Sequence, residues 1–278
     1  MRRLSKGATA ALATTVLLTS RIIAASASEL RVCADPNNMP FSNSAELGFE
    51  NRLAAMIADH LGKQVAYSWW AQRRGFIRNT LKASKCDVVM GVPSTYDLVE
   101  PTIPYYRSTY VFLSRQDQHL DVASLLDPRL RKLTIGVHLI GDDGNNAPPA
   151  QALGDQGIVD NVRGYSIYGD YRQADPPARL LEAVENREID VAAAWGPLAG
   201  YFAKLSPVPL TVTPIRDGDR FAPQQFQFSV SMGVRKGDHA LRDQLNTFIV
   251  DHRAEIATLL RDYGVPLVEM SETASGGH

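Results

Sequence analysis

The fold of this chain is decided by residues 69–107, which read WWAQRRGFIRNTLKASKCDVVMGVPSTYDLVEPTIPYYR. The segment begins at the end of a strand, continues as a basic stretch predicted to form a helix over 74–83, and enters an apolar strand over 86–91. That strand ends in Gly-Val-Pro, and a polar segment with three tyrosines follows. In an open α/β sheet, ligands bind beyond the carboxyl ends of the strands. The aromatic and arginine side chains of this segment are therefore predicted to lie at a binding edge.

The residues before this segment alternate between strand and helix patterns. Residues 30–34 and 64–70 have the apolar pattern of short strands. Between them, apolar side chains recur on one helical face from Phe49 to Leu61, and Gly62 marks the end of the helix. Together with the segment above, this order predicts a β-α-β-α-β unit, which is half of a doubly wound sheet.

The residues after the segment repeat the same pattern. A β-rich crossing is predicted over 109–113, and strands then alternate with helices from 132 to 213. Asp175 is predicted to cap a helix that begins at Pro176. A long alternating strand over 226–235 and a single helix over 238–263 complete the pattern. The predicted fold class is α/β, with two doubly wound lobes joined by a two-strand hinge.

This layout resembles that of type II periplasmic solute-binding proteins, whose two lobes close around a ligand by hinge motion. Residues 28–113 and 230–270 are predicted to form the first lobe, and residues 114–229 the second. Residues 271–278 are predicted to be a flexible tail. A ligand or partner is expected at the cleft between the lobes.

Residues 1–27 have the pattern of a secretory signal peptide. Basic residues begin the segment, an apolar run follows over 8–18, and small residues stand before position 28. The apolar run is too short to span a bilayer. We therefore predict a periplasmic protein with no membrane span in the mature chain.

The charge of the mature chain argues against one class of partner. The whole chain has 29 Lys and Arg and 30 Asp and Glu, and the signal segment holds four of the basic residues and no acidic ones. The remainder carries 25 basic and 30 acidic side chains, a net charge of −5. Nucleic-acid binding needs a basic surface, so no nucleic-acid partner is predicted.

The chain has two cysteines, Cys33 in the first strand and Cys86 at the start of the buried strand. An even count in an exported protein favours a disulfide, and neighbouring strands would bring the thiols within bridging range. The alternative is a pair of buried free thiols. No Cys/His cluster of the metal-binding kind is present, so no metal site is predicted from these residues.

Eight segments of the mature chain carry a resemblance to a known family, and the resemblance covers residues 30–268. They are CADPNNMPFSN (33–43), GFENRLA (48–54), WWAQRRGFIRNTL (69–81), CDVVMGVPSTYD (86–97), PYYRSTYVF (104–112), IGVHLIGDDGNNAPP (135–149), YGDY (168–171) and IDVAAAWGPLAGYFA (189–203). These segments resemble the J component of bacterial methanol oxidation systems, the family that includes MxaJ and its lanthanide-linked relative XoxJ.

The resemblance implies a periplasmic protein that is not an enzyme and carries no cofactor of its own. It implies a partner, a methanol dehydrogenase of the XoxF/MxaF type that depends on pyrroloquinoline quinone (PQQ), together with its cytochrome c acceptor. The J component is expected to assist maturation or activation of that dehydrogenase, here of the lanthanide type. The alternative is a solute-binding protein that delivers a small ligand, not an amino acid, to a transporter.

Two departures from amino-acid-binding relatives exclude the commonest ligand of this fold. Such relatives place an Arg shortly after the third strand to hold the ligand carboxylate. Residues 93–97, Pro-Ser-Thr-Tyr-Asp, contain no Arg. They also place an Asp after the strand that corresponds to residues 189–194, and here Trp195 occupies that position. Both charged handles of amino-acid recognition are therefore missing.

The order of elements places two groups of candidate side chains near the cleft. The first-lobe candidates are Asp35, Asn37, Asn38, Phe41, Trp69, Trp70, Arg73, Arg74, Tyr96, Tyr105, Tyr106 and Arg107. The second-lobe candidates are Asp142, Asp143, Asn145, Tyr168, Asp170, Tyr171, Trp195 and Tyr201. Two interpretations stay open, because Trp, Tyr and Arg are enriched in docking patches and facing aromatic rings also suit a small-molecule pocket.

The loop over 141–146 has three interpretations: a turn, a helix N-terminus that binds an anion, and a Ca²⁺ or lanthanide site. Its spacing is not that of an EF-hand and no Glu closes it, so no metal is predicted. The chain also lacks G-x-S-x-G, a phosphate loop and G-x-G-x-x-G. No catalytic residue is therefore predicted.

Overall fold

The computed structural model describes residues 28–139, 146–167, 171–172 and 175–270. Strands and helices alternate in this part of the chain. The strands are β1 (Glu29–Ala34), β2 (Asn37–Asn38), β3 (Ser42–Asn43), β4 (Gln64–Trp69), β5 (Val88–Pro93), β6 (Glu100–Pro101), β7 (Tyr106–Arg115), β8 (Ile135–Leu139), β9 (Val162–Ser166), β10 (Val191–Trp195), β11 (Leu210–Pro214) and β12 (Gln227–Val234). The helices are α1 (Phe49–His60), α2 (Phe76–Asn79), α3 (Pro148–Asp155), α4 (Arg179–Glu185), α5 (Gly196–Leu205), α6 (His239–Asp251) and α7 (Arg253–Asp262).

Ten strands form a mixed sheet; eight of them follow the spatial order β4-β1-β5-β12-β7-β10-β8-β9, while β6 pairs with β12 and β11 pairs with β7. β1 is parallel to both β4 and β5, and β10, β8 and β9 are parallel to one another. Between these two parallel blocks, β12 and β7 run antiparallel to their neighbours. The two predicted crossings are thus β7 and β12, and each parallel block has its own helices.

The ten-residue strand β7 belongs to both blocks. Its first part, Tyr106–Thr109, pairs with β12. Its second part, from Tyr110 to Arg115, pairs with β10 on one side and with β11 on the other. The change of partner between Thr109 and Tyr110 marks the place where one block meets the other.

Separate hydrophobic cores show why the chain forms two lobes. The first-lobe core packs β1, β5 and β12 against α1, α6 and α7, around Phe49, Leu53 and Phe248. The second-lobe cores lie on the two faces of the β7–β10–β8 sheet, around residues such as Leu153 and Leu180. Burying each such side chain contributes about 2 kcal/mol. The predicted two-lobed fold is confirmed, whereas the residue at which one lobe gives way to the other stays a prediction.

The predicted disulfide between Cys33 and Cys86 is confirmed. Their Cα atoms lie 5.4 Å apart, which is within bridging range, and both residues are buried. Cys33 lies in β1 opposite Val89 of β5, and Cys86 lies just before β5. The bridge therefore fastens the two parallel strands whose carboxyl ends reach the cleft.

An ionic cluster supports the opposite end of the same strands. Asp87 accepts hydrogen bonds from Arg31 Nε at 2.9 Å and from Arg235 Nη2 at 3.0 Å. Burial acts to raise the pKa of Asp87, but these two guanidinium groups lower it below its ordinary value. Because Arg31 lies in β1 and Arg235 follows β12, Asp87 joins three neighbouring strands.

Two predicted helices differ from the structure. The single helix predicted over 238–263 is broken at His252, whose φ of −107° and ψ of 19° separate α6 from α7. The helix predicted over 74–83 is reduced to the four residues of α2. Gly75 precedes α2 in the left-handed region, at a φ of 87°, and Thr80 leaves helical geometry while its hydroxyl donates to the carbonyl of Phe76. Such local hydrogen bonds compete with helix extension.

The predicted cap at Asp175 is also wrong. Asp175 has a φ of 44°, and its side chain accepts no hydrogen bond from the short 3₁₀ turn Pro176–Ala178 that follows it. The turn leads directly into α4. No helix in the described ranges is long and apolar enough to cross a membrane.

Candidate functional site

Asp35 is the centre of the polar side of the cleft. It follows β1 directly and is only 2% exposed. Its Oδ1 accepts from the Asn37 backbone N–H at 2.8 Å, and its Oδ2 accepts from the Gln72 backbone N–H at 2.6 Å. The Tyr171 hydroxyl of the second lobe also donates to Oδ2, at 2.6 Å. Asp35 thus joins the two lobes.

Two further contacts close the same side of the cleft. The Asp175 backbone N–H donates to Oδ1 of Asn37 at 3.3 Å, and the Arg73 guanidinium lies 4.7 Å from the ring centre of Tyr171. Burial and the Asp35 carboxylate both raise the pKa of the Tyr171 phenol, so it stays a hydrogen-bond donor. A polar cavity of about 250 Å³ lies here, and its walls include Asn38, Gln72 and Pro177.

A second cavity, of about 290 Å³, lies where β7, β10 and β12 meet. We call it the aromatic cavity. It is lined by Phe41, Glu50, Gln72, Gly91, Val92, Pro93, Tyr106, Tyr110, Ile167, Trp195, Phe228 and Val230. The Trp195 ring centre lies 5.3 Å from that of Tyr110 and 5.7 Å from that of Phe228. Trp195 can reach these rings because β10 pairs it with Tyr110.

Glu50 is the charged residue of the aromatic cavity, and the sequence analysis missed it. It lies in the first turn of α1. Its carboxyl group lies against Gly91, and a Cβ atom at position 91 would overlap Oε1. Burial, with a smaller contribution in the same direction from the nearby Asp35 carboxylate, raises the pKa of Glu50 to about 8. No pattern in the sequence separates this Glu from an ordinary acidic residue at a helix N-terminus.

A third concave surface, of about 700 Å³, lies on the other side of the end of β5. We call it the basic groove. Its cationic side chains are exposed, and they are Arg73, Arg74, Arg78 and Lys82. Tyr96 and Leu98 supply an apolar edge, and none of the described residues that line the groove is acidic. The groove suits an anionic or acidic surface.

Several first-lobe candidates lie apart from both the groove and the cavities. Trp69 stacks on Tyr67, with ring centres 4.5 Å apart. Trp70 is 41% exposed, and Lys85 Nζ lies 5.0 Å from its ring centre. Arg107 lines a different cavity together with Asp219.

Tyr105 and Tyr106 are buried and do not lie on the rim, so of the two interpretations left open they do not contribute to an exposed docking patch. They are 5% and 3% exposed, because β7 and the residue before it cross the first-lobe core. Tyr106 borders the aromatic cavity, whereas the Tyr105 hydroxyl is buried and has no hydrogen-bond partner among the described residues. The pKa of each phenol is raised by burial and by Glu50.

The second-lobe candidates have different outcomes. Trp195 and Tyr171 reach the cleft, whereas Tyr201 stacks on Tyr263 of the first lobe, with ring centres 5.8 Å apart. Asp142, Asp143, Asn145, Tyr168 and Asp170 lie outside the described residues. Within the described ranges, no group of three His, Cys, Asp or Glu side chains is arranged to hold a metal ion.

Comparison with known proteins places this geometry in a family. Residues 30–265 match the bacterial extracellular solute-binding proteins, family 3. The chain is 32% identical over 260 residues to protein MoxJ of Methylorubrum extorquens, which covers 88% of this chain and 83% of MoxJ. It is 26% identical over 257 residues to protein MoxJ of Paracoccus denitrificans, across 89% of this chain and 92% of that protein.

A solved structure is also similar over its full length. The periplasmic binding protein XoxJ from Methylobacterium extorquens AM1 superposes with a TM-score of 0.72 and 36% identity, over 87% of this chain and 100% of that structure. The chain therefore belongs to the bacterial extracellular solute-binding proteins, family 3, in the branch that contains MoxJ, XoxJ and MxaJ.

Proposed function

We propose that this protein is a periplasmic accessory protein of methanol oxidation. It binds a PQQ-dependent methanol dehydrogenase, of the lanthanide type, and assists its maturation or activation. The observation that carries the proposal is the match to MoxJ and XoxJ over most of each protein's length. The 36% identity to XoxJ favours the lanthanide-linked system. The protein acts by binding and not by catalysis, and the cytochrome c acceptor of the dehydrogenase is a further expected partner.

The cleft supports this proposal because it lacks the equipment for an amino-acid ligand. No Arg stands in residues 93–97, and Trp195 fills the position where an acidic handle is expected. The Trp195 ring packs with Tyr110 and Phe228 and offers no hydrogen-bond acceptor for a ligand ammonium. An amino-acid zwitterion would leave its carboxylate without a bidentate partner.

The basic groove is the surface we propose for the dehydrogenase. Its exposed arginines and Lys82 stand beside the apolar edge made by Tyr96 and Leu98. Arg and Tyr are the residue types enriched at the energetic centres of interfaces. The protein has a net negative charge, so a local cluster of cationic side chains also steers association. It attracts an acidic surface of the partner at long range and orients the two proteins.

The test is calorimetric titration of the mature protein with purified lanthanide-type and calcium-type methanol dehydrogenases, each in apo and holo form. The proposal expects binding to the lanthanide-type enzyme and weaker binding at high salt. The double substitution R78E/K82E should weaken that binding by about tenfold or more. Arg78 and Lys82 are preferred to Arg73, because Arg73 also packs on the ring of Tyr171.

R163E is the matched control, since Arg163 is exposed on β9 and its side chain donates to two backbone carbonyls. It should leave the affinity unchanged. Absence of a complex with all four enzyme forms would refute the accessory role. Equal losses from R163E and R78E/K82E would refute the basic groove as the docking surface while leaving the accessory role in place.

The second candidate function is delivery of a small ligand, not an amino acid, to a transporter. The aromatic cavity favours it, because ligand sites are concave and mostly apolar, with few polar groups. This function expects a rise in melting temperature with a specific small molecule and no complex with either dehydrogenase.

A further inference from the structure

The proposed docking function does not use the aromatic cavity. Its walls carry five aromatic rings, and three of them, Tyr110, Trp195 and Phe228, lie within 6.5 Å of one another by ring centres. The rings meet at steep angles, so their faces and edges both border the space. Such a wall excludes water and attracts a cation through the negative faces of the rings.

Among the residues that line this cavity, Glu50 is the one whose side chain gains a formal charge as the pH rises towards about 8. No described residue donates a hydrogen bond to its carboxyl group or forms an ion pair with it. The nearest charge that acts on it is the Asp35 carboxylate, which has the same sign. Glu50 is only partly buried, but its carboxylate form in this apolar wall has no hydrogen-bond donor or counter-ion among the described residues, which is unfavourable. The Glu50 carboxylate would therefore be stabilised by a positive charge placed in the cavity.

The chemistry of the wall selects between classes of ligand. An anion would meet the Glu50 carboxyl group in the wall, and the Asp35 carboxylate, which lies outside the lining of this cavity, would also repel it. A neutral aromatic ligand would fill the space but leave the Glu50 carboxylate unpaired. A cation with an apolar surface would satisfy both the rings and the carboxylate, and a volume of about 290 Å³ limits it to a small molecule.

We propose that the aromatic cavity binds a compact organic ammonium cation, with Glu50 as its counter-ion and the rings of Tyr110, Trp195 and Phe228 as its walls. This is a different recognition from that of an amino acid, because it needs no partner for a ligand carboxylate. The site is separate from the basic groove, whose charge has the opposite sign.

Protonation of Glu50 should respond to such a ligand. With a pKa of about 8, the empty site is largely protonated at pH 7. A bound cation favours the carboxylate, so binding near neutral pH should release a proton and tighten as the pH rises to about 8. The other titratable groups that act on Glu50 or respond to it are Asp35, after β1, Tyr67, on β4, whose pKa is also raised, and two further phenols, Tyr105 and Tyr106, where β7 begins. The two phenols have pKa values raised well above 10 and stay neutral in this range.

The experiment compares choline with its uncharged isostere, 3,3-dimethylbutan-1-ol, by calorimetry and melting temperature at pH 8.5. The intact protein should bind choline at least about tenfold more tightly than the isostere. Glu50→Gln keeps the size of the side chain but removes the charge, and it should lower choline affinity about tenfold or more. Glu188→Gln is the control, since Glu188 is an exposed residue of the second lobe.

Two results would overturn the proposal. One is equal affinity of the intact protein for choline and the alcohol, or no shift in melting temperature with either at 10 mM. The other is unchanged choline affinity in Glu50→Gln when its circular dichroism spectrum shows a folded protein. Tetramethylammonium serves as a second probe, so that failure of the choline hydroxyl to fit is not mistaken for failure of the cation site. None of these outcomes depends on whether the dehydrogenase binds.

Discussion

The basic groove and the aromatic cavity lie on two sides of one strand end but have opposite character. Both are bordered by Gln72 and by the last residues of β5, Gly91, Val92 and Pro93. The groove is open and carries four exposed cationic side chains, whereas the cavity is walled by rings around one buried carboxyl group. The difference shows that a single strand end can border two surfaces of opposite electrostatic character.

The largest effect should come from the Cys33–Cys86 disulfide, because it holds β1 beside β5 and so supports both surfaces. The bridge closes a loop of 53 residues in sequence. Removing it with C33S/C86S should cost roughly 4 kcal/mol of the free energy of unfolding, through the entropy of the unfolded chain. Denaturant unfolding of the oxidised protein and of the variant measures this. If the denaturant midpoint of unfolding does not change, the disulfide does not stabilise the pairing of β1 with β5.

The second effect separates the cavity from the groove by pH. The pKa of Glu50 is about 8 when folded, above its ordinary value of 4.5. A carboxyl with a raised pKa contributes stability below its unfolded pKa, and this stability is lost as the pH rises towards the folded pKa. Glu50→Gln should therefore match the parent protein near pH 4 and exceed it at pH 8 by about 4 kcal/mol. A variant less stable than the parent at pH 8 would contradict this.

The third effect concerns the bridge between the lobes. Tyr171→Phe removes the hydroxyl that donates to Asp35, and we expect a loss of about 1.5 kcal/mol in thermal unfolding experiments. Small-angle scattering should show a larger radius of gyration. Tyr201→Phe is the control, because it keeps the stacking on Tyr263. If both variants behave alike, the Asp35–Tyr171 contact does not hold the lobes together.

The smallest effect should come from Gly91→Ala. The added Cβ would displace the flexible carboxyl end of Glu50 without changing any charge. Choline affinity should fall about threefold to fivefold, as for the loss of part of a charge pair. Binding of the dehydrogenase should not change. A variant that loses both activities would show that Gly91 supports the shared strand end and not Glu50 alone.

Much of the fold could be predicted because strand and helix periodicity is local information. The alternation from residue 30 to residue 234 and the two crossings needed only neighbouring residues. The break at His252 could not be predicted, because no Gly or Pro stands there. In the structure, His252 contacts His60 at 3.2 Å and also Glu255, and the contact with His60 exists only in the folded protein.

The candidate site was less predictable than the fold, since burial decides its chemistry. Trp195 and Tyr171 could be placed at the cleft from strand order. Glu50 could not, because an acidic residue in the first turn of a helix is expected for its interaction with the helix dipole. Tyr105 was misplaced for the opposite reason, because a tyrosine near prolines has the pattern of a rim residue until the core closes over it.

Strand β7 pairs with strands of both lobes, and this position bears on how the lobes can move. Its partners change between Thr109 and Tyr110, so we expect a rotation of one lobe against the other to be centred near this point. In a rotation, the displacement of a residue grows with its distance from the rotation axis. Rings carried on β7 or on the strands paired with it, such as Tyr110 and Trp195, would move little, whereas contacts outside these strands, such as Asp35 with Tyr171, would separate first. The lobes could therefore open at the Asp35–Tyr171 contact while the rings of Tyr110 and Trp195 stay together.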